Sequence, residues 1–282
     1  MNNVWLKLAV VCENTVGITG GIIGEWGLSI YLEVSGMKIL FDTGESGVLL
    51  NNAGIMGIDL QSVDALVLSH GHYDHTGGMK SFLRYRGKLP VYAHPKLFAH
   101  HFSTPKKPRY IGVPHRKELL ECLGAEFVYV EKPFEITPGV FISGKVPRKR
   151  FFENDRETLF CLENGKIIMP DPFHDDMSLY LVTPEGLFII LGCAHAGLIN
   201  IVEHAREITG EKRVYGIIGG THLGPAPVEQ QEATISYLKK LNLQFLGTNH
   251  CTGQAMIARL ANIFGQRFRF CPAGSVFTIP GE

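Results

Sequence analysis

The sequence is constrained most tightly by residues 63–80, VDALVLSHGHYDHTGGMK. An apolar run at 65–68 reads as a buried strand and delivers four metal-binding side chains, His70, His72, Asp74 and His75, within six residues. Side chains alternate along an extended backbone, so His70 and His72 are placed to grip one ion. Asp74 and His75 lie past a turn and are placed to reach a second. Imidazoles with a carboxylate, and no required cysteine, suit a catalytic zinc-type site that keeps a position open for water. A single histidine at a strand end is ordinarily a surface residue. His-x-His-x-Asp-His behind an apolar strand instead carries the ligand types and spacing of metal chemistry. After Thr76-Gly77-Gly78, residues 79–85 predict a helix.

A chain of 282 residues is long enough to bury a full core, and its 45% hydrophobic content places it among globular proteins. Lys+Arg and Asp+Glu both count 27, so nothing in the charge suggests nucleic acid as a partner. The apolar N-terminal run breaks at Glu13-Asn14 and lacks a basic leader, so it reads as a first strand and not as a signal peptide. No apolar run reaches the ~18 residues needed to cross a bilayer. The six cysteines form no Cys-x-x-Cys pair and read as reduced thiols of a cytoplasmic protein.

Along the chain, strands are expected at 5–12, 28–34, 37–41, 90–93, 127–130, 140–143, 178–183, 187–191, 214–218, 268–270 and 276–279. Asn164-Gly165 signals a further hairpin. Helices are expected at 47–54, 198–209 and 229–241, and after Gly253. Residues 13–27 form a glycine-rich loop without the Lys-Ser/Thr of a phosphate loop, and Trp26 within it is a candidate to stack on a ligand. Residues 94–118 read as an irregular, basic insertion, with Lys106 and Arg109 as candidate anchors for an anionic or phosphorylated substrate. Arg148, in the basic stretch 145–150, is a third candidate. Residues 151–156 read as a loop, and the acidic loop 171–176 as surface, with carboxylates that could reach a metal edge. Later strand ends open into Gly192-Cys193-Ala194-His195-Ala196-Gly197, Gly219-Gly220-Thr221-His222-Leu223 and Asn249-His250-Cys251-Thr252-Gly253. A histidine among small residues at a strand end has room for a metal beside it. His195 and His250 are candidate ligands, and His222 a candidate ligand or proton carrier. Cys251 reads as a small buried residue.

The run 69–78 resembles the metal motif of the metallo-β-lactamase-fold hydrolases (beta-lactamase superfamily II), and Phe41-Asp42-Thr43-Gly44 is a second match. The three later histidine segments resemble more narrowly the branch of 7,8-dihydropterin-6-yl-methyl-4-(β-D-ribofuranosyl)aminobenzene 5′-phosphate synthase. The resemblance implies an α+β / α/β fold, a four-layer αβ/βα sandwich of two mixed sheets flanked by helices, with residues 1–282 as a single domain. It also implies that Asp42 sits behind the metals and holds a ligand or water. Two departures stand out. The family usually has a Gly-His-Thr-type histidine before residue 190, and none of His94, His100, His101, His115 or His174 has that setting. Where the family usually has an aspartate after a glycine, this chain reads Gly192-Cys193. His195 is expected to compensate for one of these losses.

The expected centre is binuclear, with two divalent ions: zinc first, manganese or iron as alternatives. His70, His72 and His195 would hold one ion, and Asp74, His75 and His250 the other, with Asp74 also orienting the nucleophile. Such a pair supplies hydroxide at neutral pH and polarises a carbonyl or phosphoryl oxygen. Catalytic roles are expected for Asp74, His222 and Asp42. The first expected function is a metal-dependent hydrolase using a metal-bound hydroxide on a small anionic or phosphorylated substrate. The alternatives are a C–N bond-forming transferase of the dihydropterin synthase type and a metal-containing binding protein with little turnover. A small-molecule substrate is expected, without nucleic acid or membrane.

Overall fold

Sixteen strands and seven helices organise the described residues, 4–17, 20–104, 106–150, 153 and 159–280, of the computed structural model. The strands in chain order are β1 (Val4–Cys12), β2 (Ser29–Val34), β3 (Met37–Phe41), β4 (Ala65–Val67), β5 (Leu89–Ala93), β6 (His100–Phe102), β7 (Ala125–Tyr129) and β8 (Phe134–Thr137). They continue as β9 (Val140–Ile142), β10 (Phe160–Glu163), β11 (Lys166–Ile168), β12 (Ser178–Thr183), β13 (Gly186–Leu191), β14 (Val214–Gly220), β15 (Phe245–Asn249) and β16 (Val276–Pro280). The helices are α1 (Val48–Ile55), α2 (Tyr73–Thr76), α3 (Met79–Arg86), α4 (Lys117–Cys122), α5 (Leu198–Thr209), α6 (Val228–Lys240) and α7 (Gln254–Phe264). No helix among the described residues is long and apolar enough to cross a membrane.

The chain divides into two compact units. The first draws on residues 1–130, 158–175 and 272–282 and holds a seven-stranded sheet in the order β16-β1-β2-β3-β4-β5-β7. Its first four strands are antiparallel, and β3, β4, β5 and β7 run parallel. A core of Leu40, Leu66 and Val91 from the sheet takes in Leu49 and Ala53 from α1, Phe82 and Leu83 from α3, and Leu120 from α4. The 3–4 spacing of Met79, Phe82 and Leu83 places all three on the buried stripe of α3. A small sheet, β11-β10-β6, belongs to the same unit, and the Asn164-Gly165 hairpin forms as its sequence predicts.

The second unit, residues 131–157 and 176–271, holds a six-stranded sheet ordered β15-β14-β13-β12-β9-β8. β13, β14 and β15 are parallel, and the others antiparallel. Leu198, Ile201, Val202 and Ala205 form the apolar stripe of α5, packed with Ile189, Leu191, Ile217 and Leu246 and with α6 and α7 side chains. Every residue of β13, GLFIIL, is buried, as a parallel strand covered on both faces requires. Each of its five large side chains contributes about 1.5–3 kcal/mol. That total exceeds the cost of the strained residues that follow the parallel strands, about 1–2 kcal/mol each.

The limits of β3, β12 and α5 coincide with those expected from sequence. Three expectations are corrected. Residues 268–270 form no strand; Phe268 makes one isolated bridge to Leu246, because a 3₁₀ turn precedes it and Pro272 follows. The basic insertion is partly regular, since β6 finds its partner in the distant β10. The acidic loop is not surface, because Asp171, Asp175 and Asp176 are each only 1–2% exposed. The loop expected at 151–156 lies, apart from Glu153, outside the described residues, as does Pro105. Ile189→Ala should destabilise the protein by about 2–5 kcal/mol in chemical denaturation. A loss below about 1 kcal/mol would contradict the packing described for β13.

Candidate metal centre

In the first unit, β4 feeds Ser69, His70, Gly71 and His72, and α2 carries Asp74 and His75. His70, His72, Asp74 and His75 are all buried. The His70 ring lies 4.6 Å from that of His72 and 4.2 Å from that of His75. Asp42, at the end of β3 with a left-handed backbone (φ 60°), holds the cluster from behind. Its carboxylate accepts from the Ser69 amide (2.7 Å), the Ser69 hydroxyl (2.6 Å) and His75 Nδ1 (2.7 Å). A proton on His75 Nδ1 puts the acceptor lone pair of the neutral ring on Nε2, the state a metal ligand needs.

Gly71 separates the first two histidines because nothing larger fits: a Cβ there would lie 2.1 Å from the Leu97 carbonyl oxygen. Its amide donates to Asp175 Oδ2 at 2.8 Å. Asp175 in turn faces His101, whose Nδ1 donates to Asp171 at 2.6 Å and whose Nε2 lies 3.5 Å from Asp175. The His101 ring meets that of His72 edge-on at 5.2 Å. Burial opposes charge on His101, but Asp175 and Asp171 outweigh it and push its pKa up to about 10. Burial, reinforced by the His101 charge, lowers that of His72 to about 3 and keeps it neutral. His101 is not legible as a site residue in the sequence, and the carboxylates of 171–176 are legible only as ones that could reach a metal edge. β6–β10 pairing brings His101 there, and no local motif marks it.

In the second unit, the ends of the adjacent parallel strands β13, β14 and β15 carry Cys193 with His195, then His222, then His250 with Cys251. Ligand atoms of Cys193, His195 and His222 lie within 4.8 Å of one another, as do those of Cys193, His250 and Cys251. The rings of His195 and His222 are 4.3 Å apart. Ala194, His222 and His250 all adopt left-handed backbones (φ 58°, 50° and 50°), strain that persists only where surrounding contacts enforce it. Those contacts are on hand. Asp176 accepts from the Ala196 amide, and Asn200 donates to the Ala196 carbonyl, both at 2.8 Å. Thr252 Oγ1 accepts from the Thr221 amide at 3.1 Å and lies 2.9 Å from the Thr221 hydroxyl, tying the ends of β14 and β15 together. Although burial opposes it, Cys193, His222 and His250 draw the Cys251 pKa well below the usual thiol value.

Three of the candidate substrate residues, Trp26, Lys106 and Arg109, belong to the first unit and Arg148 to the second. Arg109 is exposed beside the metal motif, its guanidinium 5.3 Å over the Tyr73 ring and its Nη2 3.4 Å from the Tyr73 hydroxyl. Lys106 is exposed on the same segment, and Trp26 is 53% exposed. Arg148, in the second unit, is half-buried, and its neighbours Lys149 and Arg150 pair with Glu207 and Glu203 of α5.

A family model described as the metallo-beta-lactamase superfamily matches residues 27–244. The chain belongs to the metallo-beta-lactamase superfamily. Within it, the chain is 34% identical to the 7,8-dihydropterin-6-methyl-4-(beta-D-ribofuranosyl)-aminobenzene-5'-phosphate synthase of Methanocaldococcus jannaschii, over 94% of this chain and 92% of the relative. An uncharacterised protein of the same archaeon is 30% identical over 85% of this chain and 88% of its own. The solved structure of a metal-dependent hydrolase of the beta-lactamase superfamily superposes with a TM-score of 0.83 and 28% identity, covering 98% of this chain and 99% of that one. The mixed sheets flanked by helices are those of the metallo-β-lactamase fold. Members of the superfamily are mostly enzymes and typically bind divalent metals. The side chains here fit such ions: buried imidazoles, carboxylates and thiols gathered at strand ends.

A group whose pKa is raised on folding stabilises fully below its unfolded value and loses that contribution as pH rises through the folded one. The His101 contribution should therefore be complete below about pH 6.5 and vanish as pH rises through about 10. Metal-free protein should lose stability across that window in urea titrations. His101→Gln should be about 3 kcal/mol less stable at pH 7 and lack that slope. Parallel pH curves for the two proteins would contradict the assignment.

Proposed function

We propose that the protein is a divalent-metal-dependent enzyme acting on a small phosphorylated substrate, and that it forms a C–N bond in the manner of the dihydropterin-type synthase it resembles. Near end-to-end identity of 34% with that synthase carries this reading. Hydrolysis is the second reading, favoured by the superposed metal-dependent hydrolase. Both treat the chain as a single domain whose two units share one centre, in a cytoplasmic protein without nucleic-acid or membrane partners. His70 and His72 with His195 would hold one ion, and Asp74, His75 and His250 the other. Two features support that pairing. Both sets are buried at strand C-terminal ends, and the likeness to the hydrolase structure spans both units.

When bound, the ions, zinc first, would supply Lewis acidity that lowers the pKa of water or stabilises charge on a leaving phosphate. The rest falls to this chain's own residues. Asp42 fixes the tautomer and orientation of His75 through Nδ1. Asp74 and His222 are the groups assigned to hold or move a proton, accepting one from the attacking amine or water. Arg109, braced by Tyr73, is the assigned phosphate anchor, with Lys106 and Arg148 as further cations. Trp26 offers an exposed indole for stacking on a flat ring. In the proposed reaction an arylamine nitrogen would displace diphosphate from a pterin methyl carbon. One C–N bond forms, one C–O bond breaks, and the amine proton passes to the base.

The test is metal-loaded protein assayed with a dihydropterin methyl diphosphate and an aminobenzene ribotide, alongside phosphodiester and lactone panels. Diphosphate release that needs both co-substrates supports the synthase; turnover of the panel alone supports the hydrolase. Inertness to all of them under zinc, manganese and iron would leave only a binding protein. His72→Ala should abolish the metal-stimulated turnover. Arg109→Ala should raise KM roughly 10-fold with little change in kcat, the effect of losing one charge-assisted bond to a phosphate.

A further inference from the structure

The ligand sets proposed above leave unassigned the thiol that sits centrally in the second unit. Cys193 belongs to both donor groups there, one with His195 and His222 and the other with His250 and Cys251. Its sulfur lies within 4.8 Å of donor atoms of both His195 and His250, the two histidines given to different ions. It also occupies the position after Gly192 where the sequence departs from the usual aspartate. We infer that Cys193 is a ligand of the metal centre, a thiolate taking the place of a bridging carboxylate.

Three observations carry this beyond packing. The side chain is only 2% exposed, yet three imidazoles lie within 4.8 Å of its sulfur, surroundings unlike those of a cysteine that merely fills apolar space. The backbone beside it is strained at Ala194, as is the backbone at His222 and His250, so the donors are held there against a local cost. Of the two thiols, Cys193 is the one that belongs to both donor groups, whereas Cys251 belongs only to the group with His250, its Sγ lying 3.7 Å from the Cys193 carbonyl oxygen. Gly220 leaves that thiol its space, since a Cβ there would lie 2.5 Å from Cys251 Sγ. Cys193 is therefore the thiol placed to reach the histidines given to both ions. A thiolate shifts the preference of the centre from manganese or magnesium towards zinc, iron or cobalt.

This inference rests on reading the strand-end cluster as a metal centre, and the experiment separates the two. X-ray absorption at the zinc edge of the loaded full-length protein should show a sulfur scatterer at about 2.3 Å beside nitrogen and oxygen at about 2.0 Å. The cobalt-substituted protein should show a thiolate-to-cobalt charge-transfer band in the near ultraviolet. Cys193→Ser and Cys193→Asp should lose that band, the aspartate variant keeping the metal stoichiometry, while Cys251→Ser retains it. Metal bound through nitrogen and oxygen alone, or a band that survives in Cys193→Asp, overturns the sulfur assignment only. Protein that takes up no metal overturns the centre and this inference together.

Discussion

Three hydrogen bonds to the Asp42 carboxylate hold the metal motif of the first unit in shape. A carboxylate and an imidazole that are both 0% exposed survive together only because each satisfies the other. Removing one partner of such a pair typically costs about 3–5 kcal/mol, because the remaining group stays buried and unpaired. The left-handed backbone at Asp42 turns the chain at the end of β3 so that its side chain meets β4 and α2. From that junction follow the register of Ser69 and the tautomer of His75.

The same construction recurs at a distance from the motif. Gly71, between His70 and His72, is held on its other side by Asp175, which His101 stabilises while Asp171 holds His101 in turn. In the second unit, Asp176 and Asn200 fix the turn that carries His195, and Thr221 with Thr252 fixes those that carry His222 and His250. Each donor is thus placed by hydrogen bonds that involve its loop backbone or its ring. The sheets supply the rigid edge, and buried polar partners set the angle.

How much of this was legible in the sequence depended on distance along the chain. The limits of β3, β12 and α5 follow from local periodicity and turn residues and read correctly from the sequence, while those of β4, α3 and β13 differ by one residue. The strand-end histidines were legible because small residues flank them. The pairing of His101 with Asp171 was not, because it depends on β6 reaching β10 across a long stretch of chain. The acidic run 171–176 reads as surface on composition alone. It is buried because His101 and the amides of Gly71 and Ala196 receive its charges, partners that no local pattern announces. Cys193 reads as a missing aspartate, and its neighbours became visible only once three strand ends lay side by side.

The proposed function depends on donors from both units serving one pair of ions. Anomalous diffraction from crystals of metal-loaded protein tests it most directly. Two peaks are expected, one contacted by His70, His72 and His195 and the other by Asp74, His75 and His250. Peaks whose protein contacts all come from a single unit, or no peak in protein known to carry metal, would contradict it.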